Sequence, residues 1–261
     1  SVDFLRRKKL NMVFQSIGYG IIRSLYAKLC VPTTLYSHFV GANHFFFTTH
    51  SHIMPPKNQS TTGHIRIIAG QWRRCQLPVL AHTGLRPSSD RVRETVFNWL
   101  NHLWGGQFVD KKIIDVFAGT GAFGLECVSR GARAVTLIDT HTPAIIAIRQ
   151  ILTHWEKQDP SVVQARTIAG DALNHLSQCA QAKQTFDLVF LDPPFAQGWL
   201  DKTLPLVSPL CHTDSLLYVE VEKSANLDTS SSLTQQGWEC LREGTTQQVY
   251  YSMWRRLSAN T

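Results

Sequence analysis

Between residues 112 and 221, short apolar runs alternate with segments in which apolar side chains recur every three or four positions. The apolar runs predict five strands: Lys112–Phe117, Ala134–Asp139, Val162–Ile168, Phe186–Asp192 and Ser215–Val221. The recurring segments predict helices near residues 122–130, 143–156, 172–180 and 199–207. Because strands and helices alternate, the pattern indicates an α/β fold built on a parallel, doubly wound sheet.

The C-terminal tail follows a different pattern. Trp238–Arg242 and Gln247–Trp254 both resemble strands, and a turn that contains glycine separates them. We therefore expect a mostly parallel sheet that is closed by an antiparallel C-terminal hairpin.

The segment before the sheet predicts a smaller unit, a β-hairpin followed by a helix. His64–Ala69 resembles a strand, and the chain over Trp72–Leu80 can return beside it. Ser89 can then cap a helix that runs over about Asp90–Leu103. The apolar stripe of this helix comprises Val92, Val96, Leu100 and Leu103.

The formal net charge of +7 is concentrated before the sheet. Residues 1–53 carry +5 and residues 54–110 carry +4, whereas residues 111–261 carry −2. A basic surface of this kind is typical of proteins that bind nucleic acid. We expect the basic hairpin and helix over residues 64–110 to contact RNA, and the main domain over residues 111–261 to hold the chemistry.

Residues 1–63 predict an irregular extension. The first 53 residues show neither helical periodicity nor strand alternation, and they are almost free of acids. They suit an organelle transit peptide or translated sequence upstream of a true start at Met54, and composition favours the second interpretation.

Several features favour the cytoplasm. The six cysteines are widely spaced and form no CxxC pair, which argues against a zinc site and against a disulfide framework. The apolar run from Met12 to Val31 is interrupted by Arg23 and Lys28, so we expect neither a membrane span nor secretion.

A glycine-rich loop follows the first strand of the predicted sheet. Gly119, Gly121 and Gly124 satisfy GxGxxG, and glycines here let the backbone approach a ligand closely. The pattern alone also fits a nicotinamide dehydrogenase or a tight turn without a ligand. Asp115 changes the balance, because its carboxylate suits the ammonium group of a methionine moiety and would repel a pyrophosphate. The loop, with Phe117, is thus a candidate site for S-adenosylmethionine.

Two more acidic residues lie at or just after the carboxyl ends of the next two strands. Asp139 lies 18 residues after Gly121, where a carboxylate can accept hydrogen bonds from both hydroxyls of a ribose. Asp171 follows the third strand and could contact an adenine amino group, but capping of the next helix explains it nearly as well.

The fourth strand ends in Asp192, Pro193, Pro194 and Phe195. A nucleobase amino group is a poor nucleophile because its lone pair is delocalised into the ring. The Asp192 carboxylate and the Pro193 carbonyl can accept hydrogen bonds from that group, which localises the lone pair and helps a proton to leave. The prolines fix the backbone, and Phe195 can stack on a base that has left its own stack. The tetrapeptide predicts methylation of a base amino group without a metal. In isolation it would also fit an ordinary rigid turn, but the glycine loop upstream argues against that alternative.

These motifs resemble the bacterial 16S ribosomal RNA guanine-N2 methyltransferases, the small-subunit methyltransferase D family, over about residues 64–254. The motifs stand here as Arg66–Gly70 (RIIAG), Leu85–Pro87 (LRP), Asp90–Thr95 (DRVRET), Asp115–Gly121 (DVFAGTG), Gly124–Glu126 (GLE), Ser129–Ala132 (SRGA) and Asp192–Phe195 (DPPF). The resemblance implies a class I S-adenosylmethionine methyltransferase fold, which is Rossmann-like and ends in an antiparallel hairpin. The chain departs from the family at Asp139, where many relatives carry the longer glutamate, and residues 1–53 lie outside the pattern.

The resemblance also implies roles. Asp115, Gly119, Gly121 and Asp139 would hold S-adenosylmethionine, and Asp192 to Phe195 would present the N2 amino group of guanine 966 in 16S ribosomal RNA. Because one small domain offers little RNA-binding surface, we expect the substrate to be an assembled or assembling small ribosomal subunit. No exposed apolar helix demands a partner, so we expect a monomer.

Arginines of the hairpin, of the helix and of the segment between them are expected to bind the RNA, because planar guanidinium groups suit phosphate. The candidates are Arg66, Arg73, Arg74, Arg86, Arg91 and Arg93. Arg91 and Arg93 lie off the apolar stripe of the helix; alternatively, they pair with Asp90 or Glu94 on a solvated face.

Two other functions stay open. A DNA methyltransferase that acts on adenine N6 or cytosine N4 uses the same tetrapeptide chemistry, but no target-recognition domain is visible in the sequence. A non-catalytic RNA-binding module would need only the basic N-terminal region, and the tetrapeptide behind a glycine loop argues against it.

Overall fold

The structure, a computed structural model, describes residues 61–80, 89–160, 164–194 and 198–258. A hairpin of β1 (Thr61–Arg66) and β2 (Gln76–Leu80) precedes a sheet of β3 (Lys112–Asp115), β4 (Ala134–Asp139), β5 (Gln164–Ala169), β6 (Phe186–Leu191), β7 (Cys211–Glu222), β8 (Trp238–Thr245) and β9 (Val249–Arg256). The order in the seven-stranded sheet is β5-β4-β3-β6-β7-β9-β8. Strands β3 to β7 pair in parallel, and β9 pairs antiparallel with β7 and β8. The predicted α/β fold with an antiparallel C-terminal hairpin is confirmed.

Helices cover both faces of the sheet. They are α1 (Asp90–Leu103), α2 (Ala122–Ser129), α3 (Thr142–Gln158), α4 (Ala172–Gln181), α5 (Trp199–Val207) and α6 (Asn226–Gln235), with 3-10 turns at Ser208–Leu210 and Lys223–Ala225. Side chains of a strand alternate between faces, so Phe190 joins the core beneath α1 and α2, whereas Leu191 joins the core beneath α4 and α5. Among the described residues, no helix combines the length and the apolar character needed to cross a membrane.

The hairpin is fixed to α2 by Glu126, whose side chain is completely buried. Its carboxylate accepts hydrogen bonds from the amides of Ile68 at 2.7 Å and Ala69 at 2.9 Å, and it pairs with the Arg130 guanidinium at 2.8 Å. Gly70, with φ of 84°, passes so close to the Ser129 carbonyl oxygen that a Cβ would overlap it. The hairpin and the sheet therefore meet through buried hydrogen bonds as well as apolar packing.

Several boundaries differ from prediction. β1 spans Thr61–Arg66 rather than His64–Ala69, so it begins inside the segment predicted to be irregular. At its end, the amides of Ile68 and Ala69 donate to Glu126 instead of to β2. β7 runs over Cys211–Glu222, longer at both ends than expected. The sequence did not predict α6, since its serines and threonines leave no clear apolar stripe. Conversely, the predicted bounds of α1 and its Ser89 cap are confirmed, with Ser89 Oγ accepting from the Val92 amide.

Candidate active site

The predicted site residues come from strands at the centre of the sheet. β3 lies between β4 and β6, and Asp115 pairs in register with Leu137 and Phe190. Parallel strands end at the same edge, so the loops after β3, β4 and β6 meet there, and the strand order reverses between β3 and β6. Open α/β sheets bind their ligands at such a position. This carboxyl edge carries Asp115, Asp139 and Asp192.

The glycine loop is built for close approach. Gly119 and Gly121 have φ of 52° and 78°, in the left-handed region that favours glycine. A Cβ at Gly124 would lie 2.5 Å from Leu137 Cδ2 and 3.2 Å from an Asp115 carboxylate oxygen. Gly124 therefore allows the start of α2 to pack directly on β4 and on Asp115.

Asp115 is a buried carboxyl group, with 3% of its surface exposed. Burial raises its pKa to about 7, the hydrogen bond from the Gly124 amide at 3.0 Å opposes that rise, and the charge of Asp139 adds to it. A cationic group bound beside Asp115 would stabilise the carboxylate and lower this pKa. The position suits an ammonium or sulfonium ligand.

Asp139 is oriented by backbone amides. Its two carboxylate oxygens accept hydrogen bonds from Gly119 N–H and His141 N–H, both at 2.7 Å. Each carboxylate oxygen has a second lone pair, so the group can still accept hydrogen bonds from ligand hydroxyls. Asp139 thus couples the end of β4 to the glycine loop.

The other candidate cofactor contacts have structural partners. Asp171 caps α4, its carboxylate accepting from the Asn174 amide at 2.9 Å, which confirms the capping interpretation. Phe117 is half-buried and meets the Trp199 ring edge to face at 5.7 Å. Contacts of either residue with a cofactor stay predictions.

Asp192, Pro193 and Pro194 follow β6 directly. Asp192 is half-buried, Pro193 is buried and Pro194 is exposed; Phe195 lies outside the described residues. Beneath them, the Phe190 ring stacks on Phe123 with centroids 4.8 Å apart. The acceptors at the strand end therefore rest on a packed aromatic layer.

A buried acidic residue that sequence reasoning missed lies on the neighbouring strand. Glu220 of β7 is 5% exposed, and its carboxylate accepts a hydrogen bond from the Tyr218 hydroxyl at 2.7 Å. Burial, followed by the negative charges of Glu220 and Asp192, raises the pKa of Tyr218 well above its usual value, so Tyr218 stays a neutral donor. The signal in the sequence was an acidic residue within the apolar run Leu216–Val221.

Four of the six candidate arginines are exposed, and we call Arg66, Arg73, Arg74 and Arg91 the arginine surface. The Arg66 side chain is 62% exposed and lies 3.4 Å from the Asp90 carboxylate. Arg86 lies outside the described residues. These positions leave the arginine surface accessible to a polyanion.

Arg93 corrects the prediction. Its side chain is completely buried, pairs with Asp90 at 2.6 Å and donates to the Arg66 carbonyl at 2.9 Å, so it is not available to RNA. The buried face of α1 comprises Val92, Arg93, Val96, Phe97 and Leu100. Both the hairpin and the sheet cover α1, which makes its buried face wider than the predicted stripe.

The sheet order, the antiparallel C-terminal hairpin and the acidic glycine loop define a class I methyltransferase that depends on S-adenosylmethionine. The solved S-adenosylmethionine-dependent methyltransferase from Agrobacterium tumefaciens shares this fold, with a TM-score of 0.53 and 17% identity over 69% of this chain and 67% of that chain.

More similar proteins indicate which family of methyltransferases the chain belongs to. The model of the family described as Conserved hypothetical protein 95 matches residues 65–255. The Escherichia coli K12 protein Ribosomal RNA small subunit methyltransferase D is 38% identical over 205 residues, 78% of this chain and 96% of the relative. The solved structure of Escherichia coli yhhF has a TM-score of 0.58 and 34% identity, and covers 75% of this chain and 99% of that chain. The chain belongs to the family described as Conserved hypothetical protein 95. Its similarity to Ribosomal RNA small subunit methyltransferase D confirms the family resemblance that its motifs indicated.

Proposed function

We propose that this protein transfers a methyl group from S-adenosylmethionine to the N2 amino group of a guanine, guanine 966, in the 16S RNA of the small ribosomal subunit. One observation carries the proposal. The glycine loop after β3 and the Asp192-Pro193-Pro194 segment after β6 flank the point at which the strand order reverses. A cofactor held by the loop would thus adjoin a base held by Asp192.

The residues of the loop fit the cofactor. The buried Asp115 carboxylate suits its ammonium group, and Asp139 can accept hydrogen bonds from its ribose hydroxyls. Gly119 and Gly121 have no side chain, so the cofactor can approach the backbone of the loop. Phe117 can cover the adenine of the cofactor. When bound, S-adenosylmethionine supplies an electrophilic methyl group on a sulfonium.

Asp192 and the Pro193 carbonyl prepare the amino group. Hydrogen bonds accepted from its two N–H groups would localise the nitrogen lone pair, and the Asp192 carboxylate would help the proton to leave. Pro193 is buried and cannot rotate about φ, so the acceptors keep their direction. Phe195 would stack on the extruded base.

The arginine surface, with Arg86, supplies contacts to phosphate. Such contacts orient the substrate but read no sequence, so they fit a protein that approaches a large folded RNA. We infer that the substrate is an assembled or assembling small subunit, met by a monomer in the cytoplasm. The name of the Escherichia coli relative supports the choice of polymer.

The test compares acceptors. The full chain is incubated with labelled S-adenosylmethionine and, separately, small subunits from cells that lack the corresponding gene, protein-free ribosomal RNA, or DNA. We expect label in the subunits, less in free RNA and none in DNA, and none with Asp192→Ala. Transfer to DNA alone would contradict the proposed polymer. Equal transfer to free RNA would contradict the assembled subunit as substrate.

A further inference from the structure

Glu220 occupies the position on β7 next to Asp192. Leu191 of β6 pairs with Val219 of β7, so Asp192 and Glu220 follow at the same level at the carboxyl edge. Glu220 projects to the same face as Tyr218, since alternate residues of a strand share a face and the two side chains are hydrogen-bonded. The charges of both carboxylates raise the pKa of Tyr218, which agrees with their proximity to one hydroxyl group.

Packing holds the Glu220 carboxylate in one direction. The Tyr218 hydroxyl donates to Oε2 at 2.7 Å, and Tyr218 itself is completely buried against Phe123, with ring centroids 5.0 Å apart. On the other side, Glu220 pairs in register with Tyr251, whose ring stacks on Trp99 at 5.4 Å. A carboxylate has about four lone-pair positions, so Glu220 can accept several hydrogen bonds at once.

Two adjacent carboxylates can accept hydrogen bonds from two adjacent N–H donors. Among guanine, adenine and cytosine, only guanine offers such a pair on the Watson–Crick edge that carries its amino group. Guanine presents an N1–H donor directly beside its N2 amino group. Adenine and cytosine each present a ring nitrogen lone pair beside their amino group, and a carboxylate would repel that lone pair. Burial strengthens both the matching hydrogen bond and the mismatched repulsion.

We propose that Glu220 determines the base specificity of the reaction by accepting a hydrogen bond from N1–H of the target guanine, while Asp192 and the Pro193 carbonyl hold its N2 amino group. Tyr218 is the positioning residue that orients Glu220. This inference rests on the proposed function, since it concerns the guanine that the protein would methylate. It assigns the choice of guanine over adenine and cytosine to β7 rather than to the Asp192 segment.

The test replaces the target guanosine. Small subunits are assembled from 16S RNA that carries either guanosine or 2-aminopurine riboside at the methylated position. The analogue keeps the N2 amino group but has a lone pair at N1 and no O6. We expect the wild-type protein to prefer guanosine by about 100-fold or more in kcat/KM, because sites built around a hydrogen bond reject analogues that lack it.

Glu220→Gln should reduce that preference to about tenfold or less, because its amide N–H can donate to the N1 lone pair while its oxygen still accepts from Tyr218. The missing O6 affects both proteins alike, so the change in preference isolates N1. Glu243→Gln is the matched control: Glu243 accepts from the Tyr250 hydroxyl at 2.7 Å, but Tyr250 belongs to the core on the other face of the sheet. This variant should keep the wild-type preference.

The outcomes separate the two proposals. Absence of N2-methylguanosine in unmodified subunits treated with the wild-type protein would overturn the proposed function. Normal methylation of guanosine together with equal rates on 2-aminopurine would overturn the role of Glu220 alone, and this comparison needs no variant to fold. An unchanged preference in folded Glu220→Gln would reduce Glu220 to a structural partner of Tyr218.

Discussion

The carboxyl edge and the arginine surface hold their charged groups in opposite ways. At the edge, Asp115 is buried and Asp139 is gripped by two backbone amides, whereas Arg73, Arg74 and Arg91 extend into solvent. A single buried charge can interact strongly with a ligand, because little solvent screens it. An exposed charge is screened by water and salt, so binding to an exposed surface depends on the sum of several weak contacts. Single substitutions should therefore have large effects at the edge and small, additive effects on the arginine surface.

The largest effect is expected at Asp192. Asp192→Asn keeps the size of the side chain but loses the charged acceptor, so single-turnover methyl transfer to small subunits should slow by about 10²–10³-fold. Affinity for S-adenosylmethionine, measured by calorimetry, should stay within about twofold, because the substitution acts on the base. Asp201→Asn, at an exposed position on α5, is the control. An equally large loss of affinity for S-adenosylmethionine would show that Asp192 acts on the cofactor, which would contradict its assigned role at the base.

Asp115→Asn should weaken S-adenosylmethionine binding by roughly 30-fold or more, because it removes one partner of a buried charge pair. In the wild-type protein the same carboxyl group has a pKa of about 7. Only its ionised form attracts an ammonium group, so wild-type affinity should fall as the pH is lowered through 7. Calorimetric titrations at pH 6, 7 and 8 measure both effects, and a pH-independent affinity would contradict this role.

The Asp115 substitution should also stabilise the fold in alkaline solution. The folded protein holds the Asp115 proton more tightly than the unfolded chain does, so ionisation lowers stability progressively between about pH 4 and pH 7 and fully above that range. The loss is about 4 kcal/mol. Asp115→Asn escapes it and should melt above the wild type at pH 8 but not at pH 4, and a lower melting temperature at pH 8 would contradict the assigned pKa.

Arg93→Ala should act on stability and not on RNA. The substitution removes a buried side chain that bonds Asp90 and the Arg66 carbonyl, and should lower the free energy of unfolding by about 2–4 kcal/mol. Denaturant titration measures this change. At a temperature where the variant stays folded, the slope of subunit affinity against salt should equal that of the wild type.

Arg91→Ala is the matched substitution on the same helix and should give the smallest effect. Stability should change by less than about 0.5 kcal/mol, because Arg91 is exposed. Affinity for small subunits should fall a few-fold, and the salt slope should decrease by about 0.7–0.9, the change expected for one lost phosphate contact. If Arg91→Ala lowered stability and Arg93→Ala instead lowered the salt slope, burial would not distinguish the structural arginine from the RNA-binding one, and both assignments would be contradicted.

Local signals in the sequence predicted much of the fold. α1 begins and ends where its cap and periodicity indicated, and β4 has its predicted bounds. These elements obey rules that involve only neighbours along the chain. α6 was missed because its serines and threonines leave no apolar stripe, although Leu233 is completely buried in the core.

The sequence could predict those parts of the candidate site in which an acidic residue stands at the carboxyl end of a parallel strand. Asp115 and Asp139 are the last residues of parallel strands and Asp192 follows a third, so any fold with those strands brings them to one edge. Arg93 could not be placed from the stripe alone, although Phe97, four residues later, shows that its side of the helix is apolar. Glu126 shows a further limit of local signals, because the two backbone amides that it binds lie 57 and 58 residues away in the chain.

The most direct test of the central claim is mass spectrometry of nucleosides from small subunits that lack the modification, after incubation with S-adenosylmethionine and either the full chain or Asp192→Asn. The arrangement at the carboxyl edge predicts N2-methylguanosine, approaching one per subunit with the wild type and far less with the variant in the same time. N6-methyladenosine in its place, or N2-methylguanosine formed equally fast by Asp192→Asn, would contradict it.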